Sequence, residues 1–347
     1  MAYISPVTRP TLHNLLMNAV RKYWVIAWVV GVLMSAGCSP NRAEESAQIS
    51  QEIRNLPGVD GTSYDEHSNP IVAFKEPSFY LKVHPRPDVT GSELSEIWKT
   101  FTRKVYDTGY SHYHVVLDVG SCPEMPFALG AFMRPCNGFS SEVDPAIPGP
   151  PTPAYEDWLA MIQGKYAHAV NGTSTSAGHD LRQRFLLALR KRADTDSTAG
   201  LPQDFQPREI TTAYRRVLKD FLNLHDSGWS VTATDQSESP GLTTYGGAPD
   251  EKVLALWEQL ADITVPTKTE FVMKPDKDRT STVHVTLSTR EAATSQLKLL
   301  KEYGQPVSYE STVPGEGSIS VLVNGCTAAQ ASGWQDELRR EFENCPR

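Results

Sequence analysis

Two stretches of this chain run through the same order of elements: strand, strand, capped helix, glycine, strand. In the first, Phe79, Leu81 and Val83 alternate with Tyr80, Lys82 and His84 over residues 77–84, the period-two pattern of a half-buried strand. Thr90-Gly91-Ser92-Glu93 then reads as a capping box, in which hydroxyl and carboxylate satisfy each other's orphan amides. Leu94, Ile97, Trp98, Phe101 and Val105 follow at the spacing of a core-facing helix stripe. Gly109 is the stop, and Tyr113, Val115, Leu117 and Val119 form the inward face of the next strand. His112, His114, Val116 and Asp118 face the other way. In the second stretch, a helix over 250–262 leads to strands at 268–273 and 281–288, the latter with Val283, Val285 and Leu287 inward. Ser288-Thr289-Arg290-Glu291 reads as a second capping box, Gly304 as a helix stop, and 306–311 as a strand. Gly315-Glu316-Gly317 signals a hairpin, and a final helix is expected over 327–343.

The region between them reads differently. Residues 155–170 hold Trp158, Leu159, Ile162 and Tyr166, and residues 179–193 hold Leu181, Phe185 and Leu189 at helical spacing. Pro207, a good first helical residue, opens a third expected helix with Ile210, Tyr214, Val217, Phe221 and Leu224 on one face. Gly228 stops it, the third appearance of the helix–glycine–strand joint, and a strand from Trp229 follows. Five prolines between 145 and 153, and a Ser/Gly/Thr/Pro-rich run at 236–249, read as linkers. The fold expected is α+β: two small antiparallel-sheet sandwiches of ferredoxin-like layering, related by internal duplication, flanking a mainly helical middle. The divisions are 56–140 and 250–347 for the sandwiches, 141–154 and 236–249 for the linkers, and 155–235 for the middle. Residues 38–55 are a polar tether running into a short helix that Leu56-Pro57-Gly58 ends.

Residues 1–37 stand apart. Tyr23 to Met34 is an uncharged apolar run behind Arg21-Lys22. It is short of the roughly 20 residues a spanning helix needs and fits the apolar segment of a secretory signal. Ser35-Ala36-Gly37-Cys38 resembles the lipobox of bacterial prolipoproteins, with Ser35 where that family usually has Leu. The resemblance covers only the first 40 residues. It implies cleavage before Cys38, acylation of Cys38, and a membrane-lipid anchor on the extracytoplasmic face, since two or three acyl chains anchor stably.

Export changes how the cysteines and charges are read. Beyond Cys38 the cysteines are Cys122, Cys136, Cys326 and Cys345, an even set in an oxidising compartment. Three pairings exist; Cys122–Cys136 and Cys326–Cys345 are favoured because both close short local loops. Residues 1–37 carry three of the 33 basic side chains and no acid, so the mature body has 30 against 41 acidic ones, a formal −11. That balance disfavours nucleic acid as a partner.

Motifs for chemistry are few. His112-x-His114, with His84 on a neighbouring strand, is the best metal-ligand candidate, although Lys82 would oppose a cation there. No Gly-x-Ser-x-Gly elbow, Walker loop or Gly-x-Gly-x-x-Gly occurs, so neither a catalytic residue nor a cofactor is assigned. The basic residues Arg182, Arg184, Arg190, Lys191 and Arg192 read as a solvated helix face, with anionic lipid headgroups as the other reading. Asn171-Gly172-Thr173 matches a glycosylation sequon and is incidental in a bacterial lipoprotein. The expectation is a lipid-anchored envelope protein that acts by binding another envelope protein or a small ligand. The alternatives are an envelope hydrolase with dispersed catalytic residues and a solute-binding lipoprotein.

Overall fold

The alternation seen in the outer thirds continues through the middle of the described residues as well, and this overturns the two-sandwich expectation. A computed structural model describes residues 42–67, 77–120, 137–177, 180–191, 205–235, 239–273, 279–327 and 331–345. Among these, seven helices and twelve strands build one mixed sheet whose strands lie in sequence order. Helix α1 (Ala43–Arg54) precedes β1 (Val59–His67) and β2 (Ser78–Pro85); α2 (Gly91–Asp107) precedes β3 (His114–Gly120) and β4 (Gly138–Val143). Then come α3 (Tyr155–Gln163) with β5 (Ala169–Ala177) and β6 (Asp180–Arg190), and α4 (Arg208–Asp220) with β7 (Gly228–Thr234) and β8 (Gly241–Tyr245). The series closes with α5 (Glu251–Ile263), β9 (Lys268–Val272), β10 (Ser281–Val285), α6 (Arg290–Tyr303), β11 (Val307–Val313), β12 (Gly317–Val323) and α7 (Gly333–Phe342). The unit is helix, strand, strand, and it occurs six times before α7.

Within each unit the two strands pair antiparallel, and between units the facing strands pair parallel. The buried face is continuous. Val83 stands opposite Val119, Val119 opposite Phe139, Phe139 opposite Gly172, Gly172 opposite Phe185, and Phe185 opposite Trp229. The helices pack onto this one face: Phe101 of α2 meets Phe79, Tyr155 and Trp158 of α3 meet Phe139, and Gln296 of α6 accepts from the Tyr309 hydroxyl at 2.8 Å. Successive crossovers leave strands of opposite direction, move the same way across the sheet, and use the same face. They must therefore alternate in hand, against the usual right-handed preference. A helix placed by the preferred hand at every joint would fall half the time on the polar face, with its apolar stripe unburied.

Each departure from the sequence pattern has a physical cause. Residues 180–190, within the expected helix over 179–193, are strand β6, not helix; residues 179, 192 and 193 lie outside the described residues. Leu181, Phe185 and Leu189 are four apart, and four residues return to the same face in a strand as well as nearly so in a helix. Phe185 and Leu187, two apart, are both fully buried on the helix-covered face, and the ladders to β5 and β7 decide for a strand. The expected helix from 155 stops at Gln163, and β5 follows from Ala169. The run at 236–249 contains β8, whose first four residues are buried. Thr243 and Thr244 look like loop by composition, yet threonine is a good strand residue between two neighbours. Ser141, Glu142 and Val143 belong to β4, leaving the proline-rich residues as its connection to α3. Gly228 starts β7 instead of stopping a helix, and Leu287 lies beyond β10, 62% exposed.

Short-range signals are realised in the fold. Thr90 and Glu93 form a reciprocal capping box on α2, with Thr90 N–H donating to Glu93 Oε2 at 2.8 Å. At α6 the cap sits one residue later than read, with Thr289 accepting from Ala292 N–H at 3.1 Å. Gly304 closes α6 at φ +82° and Gly315 turns the β11–β12 hairpin at φ +84°, conformations that cost glycine little. Cys326 and Cys345 are bonded, at a Cα–Cα distance of 4.7 Å. Cys38, Cys122, Cys136 and Arg192 lie outside the described residues, as does the apolar run at 23–34. Among the described residues no helix is long and apolar enough to cross a membrane.

Candidate functional site: the open face of the sheet

With every helix on one side, the other face of the sheet presents the alternate residues of all twelve strands. The parallel pairing of β2 with β3 brings Tyr80, Lys82 and His84 onto the face that carries His114 and Asp118. The next two strands add to the same rows. Tyr80 stands opposite Val116, Val116 opposite Glu142, and Glu142 opposite Thr175. Lys82 stands opposite Asp118, and Asp118 opposite Ser140.

These rows hold a chain of polar contacts across four strands. The Tyr80 hydroxyl lies 2.9 Å from His114 Nδ1, and His114 Nε2 lies 3.3 Å from Glu142 Oε1. Thr175 donates to Glu142 Oε2 at 3.3 Å. The carboxylate beside Nε2 favours the tautomer protonated there, leaving Nδ1 to accept from the phenol. Burial raises the Tyr80 pKa, and the charges of Asp118, Glu142 and Asp65 add to this against an opposing bond from Ser78. The phenol therefore holds its proton, and the arrangement is a set of fixed donors and acceptors instead of an activated nucleophile.

Asp118 beside this chain is held at a cost. Burial raises its pKa, and neither the Ser140 hydroxyl nor the Lys82 charge fully offsets that. A carboxyl whose folded pKa is raised binds its proton more tightly in the native state, so stability falls as pH rises from the ordinary carboxylate range through the folded value. Asp118→Asn is expected to raise the urea midpoint at pH 7 and to lose that advantage at pH 3, where the native carboxyl is already neutral. A midpoint lowered at pH 7 would show that the Lys82 contact outweighs the burial of the charge.

The histidines do not converge as a metal set. His114 is the first residue of β3, and His112 lies in the turn before it, exposed. His84 lies opposite Gly61, three rows from Ser78, which stands opposite His114. Among the described residues the three ligand-type groups that do meet are Cys326, Glu343 and Cys345, and the disulfide takes both sulfurs. Of the basic residues, Arg182 and Arg184 lie on the open face, while Arg190 makes a two-oxygen contact with Glu209 at 2.8 and 2.9 Å. Glu142 and Thr175 are site residues that the motif reading does not reach. The alternation of Phe139, Ser141 and Val143 with Ser140 and Glu142 is the signal that places Glu142 on this face.

Comparison with protein-family models, with curated proteins and with solved structures finds no match to this chain.

Proposed function

We propose that the protein is a lipid-anchored binding protein of the cell envelope, tethered through Cys38, whose open sheet face is the recognition surface. The observation that carries the reading is the one-sided placement of the helices. It leaves a broad sheet face bearing the ordered chain Tyr80–His114–Glu142–Thr175. Side chains held in place by their neighbours lose little entropy on meeting a partner, which favours recognition. The raised pKa of Tyr80 argues against nucleophilic catalysis there. The tether rests on the lipobox resemblance alone.

The test places a photo-crosslinking residue at Thr175, on the open face, and separately at Lys99, on the exposed side of α2, in cells labelled with radioactive palmitate. The expected result is a discrete crosslinked species from Thr175 that Lys99 does not produce, with label incorporated and lost in Cys38→Ala. Identical products from both positions, or none from Thr175, would overturn the binding face. Absent label would overturn the tether.

A further inference from the structure

The middle of the open face holds a second cluster, of opposite sign to the acidic body. Arg184 of β6, Gly228 of β7 and Tyr245 of β8 stand in one row: Arg184 opposite Gly228, with Trp229 opposite Thr244 setting the next step. Gly228 has no side chain to interrupt the row, and a β-carbon there would sit 3.4 Å from Arg184 Cγ. The Arg184 stem runs over this gap, and its Cζ lies 4.8 Å from the centroid of the Tyr245 ring. Arg279, at the entry to β10, brings its Cζ to 4.9 Å from the same centroid. Two guanidiniums thus share one aromatic ring.

The nearby carboxylate is already taken. Glu270 accepts from the Tyr245 hydroxyl at 3.3 Å and pairs with Lys268 Nζ at 2.6 Å. Among the described residues neither Arg184 nor Arg279 has an acidic partner, and Arg184 Nε is buried with no hydrogen-bond partner. Like charges held together repel, cation–π contact offsets only part of that, and a buried unpaired donor carries its full desolvation penalty. A bound anion offsets the first of these costs. Arginine's planar fork suits an oxyanion that accepts two parallel hydrogen bonds, and two such forks suit a doubly charged one.

We infer that Arg184, Tyr245 and Arg279 form a binding site for a phosphate-type dianion, carried on a soluble ligand or on a lipid headgroup. The inference rests on the open face being the binding face and names the chemistry of one part of its ligand. The experiment is calorimetric titration of the full chain with inorganic phosphate at constant ionic strength, with acetate as the comparison. The expected result is saturable binding of one phosphate, weakened at least tenfold in Arg184→Gln and in Arg279→Gln and unchanged in Arg103→Gln on α2. Arg279 is exposed, so its variant tests the site without risk to folding. Phosphate affinity unchanged in Arg279→Gln, no saturable binding, or acetate bound as tightly would overturn the site. Flotation with phosphatidylcholine vesicles, with and without phosphatidic acid, separates the sources. Vesicle binding that inorganic phosphate displaces assigns a headgroup, and its absence beside phosphate binding assigns a soluble ligand. Loss of phosphate binding with the Thr175 crosslink retained removes this site alone and leaves the proposed binding face standing.

Discussion

Gly172→Val is expected to lower the stability of the protein by about 3 kcal/mol, the upper end of what overpacking a well-filled core costs. Gly172 lies in β5 between Phe139 and Phe185, each opposite it on a neighbouring strand. A β-carbon there would meet Phe139 Cδ2 at 2.2 Å. The Phe139 ring cannot withdraw, because it is buried against Tyr155, Trp158 and Phe185 at centroid distances of 4.9, 5.9 and 6.0 Å. The missing side chain lets aromatic rings from β4 and β6 meet over β5, and Phe185 continues the row to Trp229 at 5.2 Å. Phe139→Ala alone should cost about 3–5 kcal/mol through the cavity it leaves. The double variant should cost about as much as Phe139→Ala alone, because valine then occupies vacated space. Urea denaturation of the four proteins is the measurement, and additive losses would show that the two residues do not share one volume.

Removing the Cys326–Cys345 bridge in the double variant Cys326→Ser, Cys345→Ser is expected to cost about 3 kcal/mol, the chain-entropy value for a loop of this size. The two cysteines are 19 residues apart, and the loop they close contains α7. That helix buries Leu338 and Phe342 and also covers the outer edge of β12. Gln335 and Arg339 donate to the Ser320 carbonyl at 3.3 and 3.2 Å, and Leu322 N–H donates to Glu343 Oε1 at 3.0 Å. The bridge therefore holds in place the element that satisfies an otherwise bare strand edge. Besides a lower urea midpoint, amide exchange should quicken at Leu322 while Leu81 and Leu117, at the far end of the sheet, keep their protection. Equal midpoints for the bridged and unbridged proteins would show that packing of α7 suffices without the crosslink.

The open face is partly legible in the sequence. The alternation in β2 and β3 puts Tyr80, Lys82, His114 and Asp118 on outward faces, and those faces coincide because the two strands pair. Glu142 is signalled only by the short alternation of Phe139, Ser141 and Val143 with Ser140 and Glu142, which the prolines a few residues on disguise as linker. Arg184 and Tyr245 are hidden for related reasons. A spacing of four fits strand and helix alike, and the threonines and glycine of β8 look like loop until neighbours on both sides bury them. The arginine pair on Tyr245 depends on a row set across β6, β7 and β8, and no local pattern encodes such a row.

Local order comes from local chemistry. The helix stripe from Leu94 to Val105, the Thr90 capping box, the Gly315 turn and the short Cys326–Cys345 loop depend on residues within about twenty positions of one another, and the sequence alone is sufficient for them. Which strands become neighbours, that units join in parallel, and that every helix lies on the same face are decided by the tertiary structure. Those choices are energetic only when distant residues are buried together, as Val83, Val119, Phe139, Phe185 and Trp229 are in one continuous row. A strand's preference for its place is largely the packing it finds there. The twelve strands of the described residues therefore form one sheet with the helices on one face and the other free, where the sequence patterns alone point to two separate sandwiches.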